Sequence, residues 1–87
     1  MIDFEGPRTV WEQVYEILRD RIVRGEYKIN HPIASQVQIV DEFGIARGTA
    51  EKIRKKLVQD GYVITVSGRG TYVRPREDWN PHHSGEL

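Results

Sequence analysis

The residues best placed to do chemistry in this chain are cations and small polar groups rather than nucleophiles. Arg47-Gly48-Thr49 opens a basic stretch that continues through Lys52, Arg54, Lys55 and Lys56, and Arg69 stands between two glycines in Ser67-Gly68-Arg69-Gly70. Such groups suit a polyanion: they pair with phosphate oxygens, and arginine also matches the O6 and N7 acceptors of a guanine edge. Covalent chemistry has no comparable footing. There is no cysteine, which excludes a disulfide frame, a thiolate zinc finger and a cysteine nucleophile. The Ser, His and Asp residues show no spacing of a nucleophile elbow or a carboxylate pair, so no enzyme is expected. His82-His83 has no third ligand near it, and His31 beside Pro32 reads as a turn residue, so no metal is expected. No cofactor and no small-molecule pocket is expected either.

The net charge is zero, yet it is unevenly spread. Residues 1–44 carry a balance of −3, residues 45–76 carry +6, and the last eleven return −3. That segregation suits one face to a polyanion, with the acidic remainder opposing non-specific adhesion; the plainer alternative is that residues 52–56 are the solvated side of a helix. Eighty-seven residues suffice for one small domain, and 38% hydrophobic with 30% charged residues is a globular composition. The longest apolar run is Tyr62-Val63-Ile64, too short to span a bilayer, and Met1–Glu5 lacks the pattern of a signal peptide. A cytoplasmic protein, nucleoid-associated when bound, is the expectation.

These cations need elements to hold them. Thr9 and Glu12 have capping-box spacing, and Trp11, Val14, Tyr15, Leu18 and Ile22 form one helical stripe, which predicts a first helix over residues 10–24 with Gly25 ending it. Asn30-His31-Pro32 reads as a turn. Ser35 and Gln38 repeat the capping-box spacing before a short helix ending at Gly44, whose apolar side is assigned to Val37 and Val40, with Ile39 and Phe43 as further candidates. Ala50, Ile53 and Leu57 then line a helix over residues 47–59, closed by Gly61. Two short helices joined by a tight turn are a helix-turn-helix pattern. After Gly61 the period changes to β-branched and aromatic residues, 62–66 and 71–73, around the tip Ser67-Gly68-Arg69-Gly70; no helix follows those glycines, so they mark a hairpin and not a nucleotide-phosphate loop. The fold expected is mainly α with a small β-hairpin, a winged helix-turn-helix of three helices plus wing. Its boundaries are an N-terminal arm over 1–9, the winged-helix domain over 10–74 and a flexible tail over 75–87, with Trp79 left to dock on its own domain or on a partner.

In that arrangement the second helix of the pair enters a major groove. Gly48, Glu51, Lys52, Lys55 and Gln59 point away from the Ala50–Ile53–Leu57 side, and the first turn presents Arg47, Gly48 and Thr49. Arg69 reaches a second groove or the flanking backbone. Arg47 and Arg69 are the leading candidate contacts, with Thr49 and Lys52 next. Trp11 and Tyr15 are assigned to helix packing, not to base stacking.

Gly25-Glu26-Tyr27-Lys28, Ser35, the 41–49 stretch Asp-Glu-Phe-Gly-Ile-Ala-Arg-Gly-Thr, Asp60-Gly61-Tyr62-Val63 and the 68–73 motif Gly-Arg-Gly-Thr-Tyr-Val resemble the DNA-binding domain of GntR-family transcription regulators over about residues 10–74. The resemblance implies a winged helix with Arg47 and Thr49 at the groove and a wing tip, Gly68–Arg69–Gly70, that touches double-stranded DNA. Ser35 and Gln36, where that family opens its second helix, complete the expected contact set. Departures are equally specific. The family's Leu-Pro-Ser-Glu-Arg is here Ile33-Ala34-Ser35-Gln36-Val37, so Val37 replaces an arginine contact; Ala46 replaces a capping serine; Glu51 replaces a second arginine; Arg54 replaces a core leucine. The family's C-terminal effector and dimerisation domain has no counterpart in the residues after Arg74, so the chain is either a stand-alone small regulator or the DNA-binding piece of something longer, and a monomer or weak homodimer pairing on DNA is expected. The alternative function, a winged-helix protein–protein interaction module, draws on Val37 and Glu51 standing where cations belong.

Overall fold

A computed structural model describes residues 9–79, in which three helices precede an antiparallel hairpin: α1 (Val10–Val23), α2 (Gln36–Phe43), α3 (Arg47–Gln59), β1 (Val63–Val66) and β2 (Gly70–Val73). The expected winged helix-turn-helix is the observed fold. Both capping boxes are present: the Thr9 and Ser35 hydroxyls accept from the amides of Glu12 and Gln38, whose side chains accept from the cap amides in return. Ala46 caps α3 with no side-chain bond.

Val14, Leu18 and Ile22 of α1, Ile39 and Phe43 of α2, Ala50, Ile53 and Leu57 of α3, and Val63 and Val73 of the hairpin form one buried cluster. Each helix supplies positions three or four apart because only that spacing keeps a single face inward. Polar ties fix the helices around it. The Arg21 guanidinium pairs with Glu42, holding that carboxyl below its usual range, and reaches Tyr27 Oη at 3.2 Å. Tyr15 Oη donates to Asp60, the buried residue that caps α3, and Lys56 Nζ lies 3.5 Å from the same carboxylate.

One expectation is corrected. Val37 is not on the inner face of α2: it is 60% exposed, and the inner face is Ile39 and Phe43 with Val40 half-buried beside them. In eight residues the pairs 37/40 and 39/43 both have helical spacing, and packing against α3 decides between them. The Asn30-His31-Pro32 turn does more than turn. Asn30 takes a left-handed φ of 66°, its amide donates to Val73 O at 2.9 Å, Val73 N donates to His31 O at 3.0 Å, and Ile33 N donates to Thr71 O at 2.9 Å. Pro32, which has no amide to leave unpaired, bridges to Tyr72 along the outer edge of β2. Past Arg74, where the tail is expected to begin, the described residues still pack on the helices and hairpin. A 3-10 turn over Arg76–Asp78 carries Trp79 onto Tyr62, ring centroids 5.4 Å apart, and Trp79 Nε1 donates to Arg74 O at 2.9 Å. Arg76 closes the chain back on α1 by donating to Val23 O at 2.9 Å. The arm over 1–8 and the tail from 80 lie outside the described residues.

Candidate nucleic-acid interface

The wing and the starts of α2 and α3 converge on one side of the molecule. Ser35 and Gln36 line a groove of about 400 Å³ together with Arg54, Gly68, Arg69 and Gly70. Gln36 Nε2 donates to Arg47 O at 3.4 Å, which joins the first residue of α2 to the first residue of α3. Gly68 and Gly70 take φ of 76° and 116°, backbone that other residues rarely adopt, so the wing tip turns sharply and leaves Arg69 exposed at its apex. Thr49 and Lys52 belong to the opposite flank of α3. Thr49 is half-buried beside Trp11 and Val10, and Lys52 Nζ sits 4.5 Å from the centre of the Trp11 ring. The expected contact residues thus fall into two groups on either side of α3, Ser35, Gln36 and Gly68–Gly70 toward the wing, Thr49 and Lys52 toward α1, with Arg47 and Gly48 exposed between them.

The charges sort themselves by partner. Arg54 donates to Thr65 Oγ1 at 2.8 Å and to Glu51 at 2.9 Å, Lys55 lies 3.8 Å from Glu51, and Arg74 lies 3.3 Å from Asp78. Among the described residues no carboxylate lies within ion-pair distance of Arg47, Lys52 or Arg69. The Trp11 face attracts the Lys52 ammonium but carries no opposite charge to pair with it. Around α3 and the wing these three cations face solvent, and all three are among the expected contacts; Lys28, on the loop after α1, is likewise exposed with no carboxylate in ion-pair distance among the described residues. Glu51, which spoke for a protein-binding wing, is turned along the helix toward Arg54 and Lys55 and is neutralised there.

Arg54 is the residue whose role sequence reasoning missed. Reading it as a replacement for a core leucine hid what the guanidinium does at the surface: it ties α3 to β1 and holds the wing against the helix. Its spacing from Glu51, one turn earlier on the same face, was the available signal.

The model of bacterial regulatory proteins, gntR family, matches residues 11–73. The chain belongs to the GntR family. It is 32% identical over 72 residues to the HTH-type transcriptional repressor NagR of Bacillus subtilis, covering 83% of this chain and 30% of that protein. To the histidine utilization repressor of Pseudomonas putida it is 29% identical, covering 79% of this chain and 28% of the other. The chain thus spans less than a third of the length of these curated relatives. Among solved structures, AraR(DBD) in complex with operator ORR3 superposes with a TM-score of 0.72 at 29% identity, covering 80% of this chain and 92% of that one. YtrA from Sulfolobus acidocaldarius, a GntR-family transcription factor, shares the fold with a TM-score of 0.79 at 22% identity, covering 97% of this chain and 74% of that one.

Proposed function

We propose that this GntR-family chain reads a specific double-stranded DNA sequence and thereby regulates transcription in the cytoplasm. The observation that carries the proposal is that Arg47, Lys52 and Arg69 have no carboxylate partner among the described residues, while Arg54 and Lys55 share Glu51 and Lys56 pairs with Asp60. The operator complex of AraR, a structure similar to this one, supports the same partner. The first turn of α3 enters the major groove, where Arg47 donates to a guanine edge and Gly48 and Thr49 lie against neighbouring bases. Lys52 and Arg69 neutralise phosphates on the two flanks, and Ser35 and Gln36 donate to the backbone beside the wing. The chain is a monomer or weak dimer that pairs on half-sites about one helical turn apart.

Salt dependence tests this directly. Two phosphate contacts release counterions with a slope of about −1.8 in log K against log salt for each bound chain, and Arg69→Ala removes about 0.9 of it. Affinity that ignores salt, or a slope that Arg69→Ala leaves unchanged, overturns the assignment.

A further inference from the structure

Gly48 has no reason inside the protein to be glycine. It is the second residue of α3, its backbone is not in the left-handed region, and a Cβ built on it meets nothing within 4 Å. Gly25, Gly44, Gly68 and Gly70 also have open space around them, but each takes a positive φ that explains it. Helices tolerate glycine poorly, so one placed where alanine would fit carries a cost that the fold does not require. The neighbouring side chains are held clear of it. Lys52 is drawn to the Trp11 ring at 4.5 Å, and Glu51 is drawn to Arg54 at 2.9 Å and to Lys55 at 3.8 Å. What remains is a groove of about 460 Å³ on the outer face of α3, lined by Trp11, Glu51, Lys52 and Lys55 and by the main chain of Gly48.

We infer that Gly48 is a clearance residue: its missing side chain lets the main chain of α3 come into van der Waals contact with the base edges of a major groove, which makes it a determinant of sequence specificity. This rests on the DNA-reading function proposed above and adds to it a residue that acts by having no side chain. A Cβ there holds the helix off the bases by roughly the width of a methyl group, while phosphate contacts made by long, flexible cations adapt.

Two properties therefore move in opposite directions on Gly48→Ala. The melting temperature of the 87-residue chain rises by about 4 °C, because alanine is the better helix former. Affinity for the duplex that the unsubstituted chain enriches from a random-sequence library falls about tenfold, and Gly48→Leu loses more. Affinity for a random-sequence duplex at low salt stays within about twofold, since phosphates dominate it. A Gly48→Ala chain that is more stable and binds the enriched duplex as tightly as before overturns the inference and leaves DNA reading intact. One that melts lower overturns it as well, since the fold then needs the glycine. Failure to enrich any duplex overturns DNA reading itself, and this inference with it.

Discussion

Tyr15→Phe isolates the buried polar tie between α1 and the end of α3. Phenylalanine keeps the ring and its packing and removes only the hydroxyl that donates to Asp60. Asp60 is 3% exposed, so water cannot replace that donor, and the Lys56 ammonium lies 3.5 Å from the same carboxylate. Hydrogen bonds to a charged group contribute about 1.5–3 kcal/mol, and Lys56 offsets part of the loss, which sets the expected destabilisation at about 2 kcal/mol. For a domain of this size that lowers the melting temperature by roughly 10 °C, readable by circular dichroism or urea titration at pH 7. The pH dependence adds a second check. Burial, and then the bond to Asp60, raise the Tyr15 pKa above its ordinary value of 10.0. A raised folded-state pKa gives stability that is fully present below the ordinary tyrosine range and is lost as pH climbs beyond it. The gap between the two proteins is therefore constant from neutral pH to about 9 and narrows above about 10. A deficit below about 0.5 kcal/mol at pH 7 refutes the reasoning, because a donor lost to a buried carboxylate cannot cost so little.

Ala46→Ser supplies the cap that α3 lacks, and its backbone at φ −71° and ψ 154° already suits a capping residue; chemical denaturation should show a gain of about 1 kcal/mol, and no gain would mean that the first amides of α3 are satisfied otherwise. Trp79→Ala strips the contacts with Tyr62 and Arg76 and the bond to Arg74 O, and should cost about 1–2 kcal/mol; unchanged stability would mean that these contacts add nothing to the fold. Val37→Arg restores the cation that the family carries at a position 60% exposed here, so folding should be unaffected while affinity for duplex DNA rises about tenfold and the salt slope steepens by about 0.9. No change in either would put that face of α2 away from the duplex.

Local signals in the sequence were enough for most of the fold. Thr9 with Glu12, Ser35 with Gln38 and Gly44 at a φ of 65° state where helices begin and end, and these depend on neighbours three or four residues away. What escaped depends on distant partners. Asn30 to Ile33 looks like a turn because the residues that pair with it, Thr71 to Val73, lie some forty positions on. Trp79 stands in a polar segment, and only the folded hairpin brings Tyr62 beneath it. Val37 was misassigned because two turns of helix offer two apolar stripes and no way to rank them. The candidate site divides in the same manner. Arg47 and Arg69 follow from residue type and position alone. That Lys52 lies on Trp11, that Glu51 is neutralised and that Arg54 ties the wing to α3 follow from side-chain packing between elements.

In the proposed function, the charges left without a carboxylate around α3 and the wing read a DNA sequence. Selection from a random-sequence duplex library at two salt concentrations, with Arg47→Ala alongside, tests it most directly. One enriched motif is expected, bound more weakly at higher salt, from which Arg47→Ala loses roughly 1–3 kcal/mol of affinity at a single base pair. An enriched motif that Arg47→Ala binds equally well, or no binding at low salt, would contradict it.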